Sequence, residues 1–417
     1  MARLFEHPGA AQNDREVYFD NAATAPLHPP VADVVTHAMQ HTFGNPSSRH
    51  ARGRAAKKML DESRKTVAQA IGAHPDEIFF TSGGTESNNL AITGACAAYE
   101  RDRGPGAIVT TALEHPSVTK TVRALKRSGW SAVYLEAHSG ELDLVNLKDT
   151  LRENRDVRLV TIMSVQSELG YRFPVDEAVR LCKRQRDAAA EGSDVHLLIH
   201  TDAVQAFGKI ALDAHALGVD LLSFCSHKVG GPKGIGALYV RRGTKLFTTA
   251  HGGGQEQGLR SGTEALPLIA GFAEAARIAH DGQARAHAQA EALRDRLIGT
   301  LRCLHPDLIV NSREDGSPFI VNFTLPGTDN RLILDRLSDA GIYLSASMAC
   351  ATNHASVPAG TWRKKHPLAL QLAGVPKYLA QCTYRVSFSS RSTADEVDRF
   401  LRKFEEVVSA QQSRRSA

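Results

Sequence analysis

The chain has no Cys-x-x-Cys pair. Its six cysteines, Cys96, Cys182, Cys225, Cys303, Cys350 and Cys382, stand far apart in 417 residues. Neither a zinc knuckle nor a disulfide framework is indicated, and no metal site is expected. A reduced, intracellular setting fits this cysteine usage. No run of about 18 apolar residues is present, so no membrane span is expected. Met1 to Glu16 is polar, carries Glu6, Asp14 and Glu16, and has no apolar stretch. No secretory leader is therefore expected, and the location reads as cytoplasmic. Lys and Arg number 50 against 45 Asp and Glu, a net charge of +5 without a long basic run. That balance argues against direct nucleic-acid binding. Internal repeats and extended low-complexity segments are also missing.

What remains is an ordinary globular composition, 42% hydrophobic and 23% charged, on a chain long enough for two or three domains. From about His28 to Thr263, helical and strand patterns alternate. Helical spacing covers 52–71, 88–99, 116–128 and 175–190. Strand patterns cover 77–80, 107–110, 158–163, 196–200, 219–224 and 236–240. Such alternation predicts an α/β domain with a mostly parallel sheet. The Gly-rich stretch 252–258 is the strongest break in composition. It predicts a large domain over 28–264 and a smaller α+β domain from 1–27 with 265–417. The smaller part holds a long Ala-rich helix over Leu266–Leu304, strands near 308–311, 319–325 and 383–389, and a helix over 331–340. A last helix opens on the capping-box pattern Thr393-Ala394-Asp395-Glu396, and a disordered tail is expected over 411–417.

Ligand sites in parallel sheets lie outside the carboxyl ends of the strands. Two such ends carry chemistry. The strand near 196–200 runs into Asp202 and Gln205; the strand 219–224 runs into Ser226-His227-Lys228 and a Gly/Pro-rich turn. A buried lysine amine can form a Schiff base, and a carboxylate facing a pyridinium nitrogen is its counterpart in pyridoxal phosphate chemistry. The plainer reading is a surface lysine and a helix-capping aspartate. Strand 77–80 leads into Thr81-Ser82-Gly83-Gly84-Thr85, where glycines and a helix start offer an anion site. His115 follows the next strand and should reach the same crevice, able to stack on a planar ring and carry a proton. Arg385, inside a late strand, suits bidentate binding of a carboxylate, or else a structural ion pair. Cys350 lies among small and polar residues that read as a mobile loop, which favours a reactive thiol over an inert one. The basic segment Trp362 to His366 after it reads as a docking element or a solvated turn.

These residues carry a resemblance. Tyr18 to Thr24, Phe43 to Ser48, Thr81 to Leu90, His200 to Lys209, His227 to Val240 and Arg260 to Thr263 look like the NifS/IscS cysteine desulfurases. Those enzymes belong to the class V group of fold-type I pyridoxal-phosphate enzymes, and the likeness runs from about Val17 to Phe404. It implies that Lys228 holds pyridoxal 5'-phosphate, Asp202 faces the ring nitrogen, Gln205 the ring oxygen and His115 the ring face. Gly84, Thr85, Ser226 and His227 would bind the phosphate, with Thr263 supplied by the second subunit of a homodimer. Arg385, Asn45 and Ser167 would face the substrate, L-cysteine. Cys350 would attack its sulfur, leaving L-alanine and a persulfide for a sulfur-acceptor protein.

Departures from the family pattern are visible. The Asn-Asn-Glu-x-Gly motif is Gln166-Ser167-Glu168-Leu169-Gly170 here, and the Ser two residues before the motif His is Cys225, leaving Ser226 to supply a hydroxyl. Two other functions are compatible with the scaffold: a selenocysteine lyase or other β-lyase or epimerase, and a degenerate scaffold that only binds in a sulfur-transfer complex. Fe–S scaffolds, transfer-RNA thiolation, thiocofactor synthesis and DNA phosphorothioation all stand as destinations for the sulfur.

Overall fold

The computed structural model describes residues 16–138, 140–188, 197–248, 250–346 and 367–416. The first strands are β1 (Val17–Tyr18), β2 (Ile78–Thr81), β3 (Ala107–Thr111), β4 (Ser131–Leu135), β5 (Ala137–His138), β6 (Glu141–Leu142) and β7 (Val157–Thr161). They are followed by β8 (Leu198–Asp202), β9 (Leu221–Cys225), β10 (Gly236–Val240), β11 (Ile309–Val310), β12 (Ile320–Thr324), β13 (Ile342–Tyr343) and β14 (Thr383–Ser387). The helices are α1 (Pro29–His41), α2 (Ala51–Gln69), α3 (Gly84–Arg103), α4 (Pro116–Arg127), α5 (Leu144–Glu153) and α6 (Val175–Ala188), then α7 (Ala214–Leu217), α8 (Leu266–Leu304), α9 (Asn330–Asp339), α10 (Leu368–Leu372) and α11 (Ala394–Ser416).

A seven-stranded sheet in the order β2-β10-β9-β8-β7-β3-β4 forms the centre. β9, β8, β7, β3 and β4 run parallel, and β10 is antiparallel to both β9 and β2. The link from Cys225 to Gly236 is too short for a helical crossover, so the chain folds straight back. β3, β9 and β10 are buried at every position, because helices cover both faces and both sets of side chains must be apolar. On one face Val109, Val160, Leu222 and Ala237 share a core with Leu60, Val67 and Phe272 of α2 and α8. On the other, Ile108, Leu159, Leu221 and Leu238 pack with Ile92 of α3 and Val118 and Val122 of α4. This is the mostly parallel α/β sheet that the alternating pattern predicts, and the fold-type I arrangement that the resemblance implies.

A second core joins Val17 and Phe19 to the β11-β12-β14 sheet, α9 and α11. The 39-residue α8 belongs to both: Leu266 to Ala276 lie in the first core, Ala286 to Leu301 in the second. The tail expectation needs correction. α11 continues to Ser416, and Gln411 Oε1 accepts from Asp329 N, tying that turn to the start of α9. The helix expected over 88–99 starts four residues earlier, at Gly84, since Gly83 with φ 152° ends the preceding turn.

The Gly-rich linker is anchored. Glu256 and Gln257 hold left-handed φ values of 48° and 54°, a strained conformation for residues other than glycine. Glu256 accepts twice from the Arg64 guanidinium, at 2.6 and 2.7 Å, and once from Phe80 N at 2.9 Å. Arg64 also lies 4.8 Å over the Phe80 ring. Glu256→Ala strands this guanidinium and a β2 amide, so we expect a loss of about 3 kcal/mol in stability, read by denaturant unfolding. A change within error would mean the pair carries no net weight.

Candidate active site

β8, β9 and the turns after β2 and β3 open on one crevice. At the end of β8, Asp202 is buried; its Oδ2 accepts from Asn88 Nδ2 at 2.7 Å and its Oδ1 from Val204 N at 2.9 Å. Asn88 stands one turn inside α3 and also donates to Ser117 Oγ at 2.8 Å. His115 caps α4: its Nδ1 accepts from Ser117 N at 3.1 Å and lies 2.7 Å from Ser117 Oγ. That leaves the proton of the neutral ring on Nε2. Burial holds His115 below the ordinary imidazole range; Asp202 opposes the shift and Lys228 adds to it. One ring thus feels both the strand-end carboxylate and the lysine amine.

Lys228 Nζ donates to the carbonyls of Ala22 and Ala23, from the segment that follows β1. Gln205 Nε2 donates to the same Ala22 carbonyl at 2.8 Å. His227 is pushed down to about 4 by burial and then by Lys228, and its Nδ1 lies 3.2 Å from Thr24 Oγ1. At neutral pH both imidazoles are uncharged.

At the mouth of α3 the first intrahelical bond runs from Ser87 N to Gly83 O. The amides of Gly84, Thr85 and Glu86 therefore point out of the helix end, where the dipole favours an anion. A side chain on Gly84 would meet Val204 Cγ2 at 2.7 Å, while nothing stands within 4 Å of the corresponding position on Gly83. Glu86 braces this turn: its Oε2 accepts from Ser82 N, and its Oε1 accepts from Arg260 Nε at 2.9 Å. An amine, a buried carboxylate, a neutral ring and a bare helix mouth form the donor set that a phosphorylated pyridine aldehyde needs. The residues fit pyridoxal phosphate.

Arg385 is 1% exposed within β14. Its Nη2 pairs with Asp20 Oδ1 at 2.8 Å, its Nη1 donates to Ser167 O at 3.0 Å, and its Nε has no partner among the described residues. Asp20 Oδ1 also accepts from Ser345 Oγ at 2.6 Å. Both the ion pair and an unused donor are thus present at one guanidinium.

A model of the "Aminotransferase class-V" family matches residues 17–400. The chain belongs to the class-V aminotransferase family. It is 37% identical over 388 residues to "Cysteine desulfurase IscS" of Serratia proteamaculans, covering 92% of this chain and 90% of that protein. Among solved structures, a "NIFS-LIKE PROTEIN" superposes with a TM-score of 0.84 at 33% identity, over 94% of this chain and 99% of its own. "SspA in complex with cysteine" superposes with a TM-score of 0.73 at 29% identity, over 90% and 100%. Within the family this chain is a cysteine desulfurase of the NifS/IscS type, and no described helix is long and apolar enough to cross a membrane.

Lys228, Asp202, Gln205, His115 and His227 come together around the crevice, with Gly84 and Thr85 at its anion end. Ser226 does not join them. It is fully buried, its hydroxyl has no partner among the described residues, and it crowds Gly231, where a side chain would lie 1.9 Å from Ser226 Oγ. Cys225 is the residue beneath the anion turn, its Cβ 3.9 Å from where a Gly84 side chain would begin. Gln166 is committed to its own turn, with Oε1 accepting from the amides of Glu168 and Leu169 at 2.7 Å each. Asn45 sits in an exposed turn after α1, its Oδ1 accepting from Ser47 N. Thr263 is exposed as well. Cys350 and the segment Trp362 to His366 lie outside the described residues.

Sequence reasoning passed over Asn88, Asp20 and Glu114. Asn88 could have been found four residues after Gly84, on the same helix face. Glu114 Oε1 accepts from Thr111 Oγ1 and Met163 N at 3.0 and 2.8 Å. Burial, with Asp202 adding, pushes its carboxyl up to about 8, so it is uncharged under the site at neutral pH. Elsewhere, His74, Glu77 and His215 bring three possible ligand atoms within 4.8 Å of one another. Glu77 there already accepts from the amides of His74 and Arg242 and pairs with His215 at 2.7 Å.

Proposed function

We propose that the crevice takes sulfur from L-cysteine, leaves L-alanine, and places the sulfur on Cys350 as a persulfide for an acceptor. Lys228 would hold pyridoxal phosphate, with Asp202 at its ring nitrogen, Gln205 at its ring oxygen, and His115 on its face. Gly84, Thr85 and His227 would hold its phosphate. The bound group supplies an electron sink next to the substrate Cα. Asp202 keeps a negative charge at one end of the crevice, held in place by Asn88 and Val204. Lys228, when its amine is free, would serve as a base toward the substrate carbon, and His115 can carry a proton on Nε2. Arg385, already oriented by Asp20 and Ser167 O, would turn its free Nε donor to the substrate carboxylate. A homodimer, with Thr263 reaching the neighbouring phosphate site, and the two-domain division at 264/265 are part of the same proposal. An Fe–S scaffold, or another sulfur-accepting protein, is the partner class that the relatives' names suggest.

The observation that carries this reading is the convergence of three strand ends: Asn88 joins Asp202 to Ser117, which holds His115, while Lys228 and Gln205 meet at the Ala22 carbonyl. The solved relative holding cysteine supports the substrate. The thiols narrow the sulfur carrier. Cys96, Cys182, Cys225 and Cys382 are buried; burial pushes Cys182 up to about 12 and Cys225 up to about 11, so neither is a ready nucleophile. Cys303 is exposed near the end of α8, remote in sequence from every crevice element. Mass spectrometry of the protein after incubation with cysteine should find one added sulfur on Cys350. Sulfur on Cys303 instead, or none on any cysteine, would overturn the assignment.

A further inference from the structure

We propose that Lys209 is a positioning residue for Lys228, clamping the Gln205 amide that fixes the Ala22 carbonyl and setting a second cation beside the Lys228 amine. This rests on the reading of Lys228 given above. Lys209 follows β8 by seven residues, at the end of the turn that begins with Asp202. It is 4% exposed. Its Nζ donates to Gln205 Oε1 at 2.9 Å, Gln205 Nε2 donates to Ala22 O at 2.8 Å, and Lys228 Nζ donates to that same oxygen. The two lysines thus share one hydrogen-bonded path through a single amide.

The path is held at both ends. Lys209's own carbonyl accepts from Gln283 Nε2 and His287 Nδ1 of α8, at 3.1 and 3.0 Å. Gly208, with φ 68°, lets this loop close in: a side chain there would lie 2.7 Å from Ala279 Cβ and 2.9 Å from Val229 Cγ1. At the far end, Ala22 N donates to Ser387 Oγ at 2.9 Å, and Asn21 Nδ2 to Ser387 O at 2.8 Å. Ser387 lies two residues beyond Arg385 on β14. The amine and the carboxylate-binding guanidinium are therefore registered to each other through the segment that Gln205 grips.

A buried ammonium is costly to keep without an opposite charge, and among the described residues Lys209 forms no ion pair. Burial, then Lys228, pushes it down to about 7. The other groups facing the pair are Asp202 on β8, Cys225 on β9, His115, His227, and Arg385 on β14. A like charge next to an amine disfavours its protonated form. Lys209 thus supplies the placement and, below a pH of about 7 while it holds its proton, a like charge beside Lys228.

The test uses the full chain reconstituted with pyridoxal phosphate and titrates the visible band of the bound cofactor against pH. Lys209→Met removes the charge and keeps the buried stem. Its midpoint should rise, because the protonated form then persists to higher pH, and Lys209→Arg, charged throughout, should bring it to the wild-type value or below. Lys209→Gln keeps hydrogen-bonding capacity without charge and should show the same rise if the methionine variant does not fold. A midpoint unmoved in Lys209→Met or Lys209→Gln, with only a lower melting temperature, would overturn the proposal and leave Lys209 a packing residue. Wild-type protein that takes up no pyridoxal phosphate would sink the reading of Lys228 itself, a separate outcome.

Discussion

Lys228→Ala is expected to come out colourless and inactive. The wild-type chain, loaded with pyridoxal phosphate and dialysed, should keep a visible absorption band; the variant should lose it, because that band comes from the covalent link to Lys228 and the free aldehyde absorbs at shorter wavelength. Alanine formation from cysteine should fall by a factor of about a thousand or more, equivalent to ~4 kcal/mol in the barrier. The fold should survive. Lys228 lies within the turn that follows β9, and its amine caps two carbonyls, Ala22 O and Ala23 O, of which Ala22 O keeps the Gln205 donor. Lys209 is the other lysine on this hydrogen-bonded path, and its Gln205 clamp and near-complete burial keep it from taking over. A variant that stays coloured after dialysis would show that the cofactor amine has been misassigned, with Lys209 the next residue to replace.

The parts of the site legible in the sequence are those written contiguously. Each strand end carries its functional residue close by in sequence: Asp202 as the last residue of β8, Lys228 after β9, Gly84 after β2, His115 after β3. The limits of α8 were legible because its helical spacing runs unbroken from Leu266 to Leu304. What could not be read depends on distance in the chain or on facing. Asp20 and Arg385 are 365 residues apart, and no local pattern joins them. Lys209 looks like a charge on a loop until Gly208 shows how deeply that loop is tucked. Cys225 and Ser226 differ in facing: adjacent residues at a strand end point to opposite faces, and the Ser226 hydroxyl lies against Gly231 while Cys225 lies toward Gly84. The helical tail was missed because its polar composition hides a fold imposed by packing, with Val407 and Val408 in the second core.

Asp202→Asn should separate charge from shape. The carboxylate accepts from Asn88 Nδ2 on one oxygen and from Val204 N on the other. An asparagine keeps one acceptor and gains a donor. Asn88 can meet that change by turning its amide over, since among the described residues its Oδ1 is buried without a partner and can then accept from residue 202, giving up its bond to Ser117 Oγ. Folding and cofactor uptake should therefore persist, with the visible band retained. Turnover should not. The negative charge that keeps a ring nitrogen protonated is gone, and we expect a loss of about a thousandfold in kcat, or ~4 kcal/mol. A second readout separates this from a loose packing defect. Asp202 raises the His115 imidazole against its burial and helps hold the Glu114 carboxyl up near 8. In the variant both groups should titrate lower, by NMR of the histidine ring and of a labelled glutamate. Near-normal turnover in Asp202→Asn would mean that the carboxylate is a structural cap for Val204 and Asn88. Lost turnover with His115 and Glu114 unmoved would mean that the three side chains do not share a crevice, and the site as drawn would have to be abandoned.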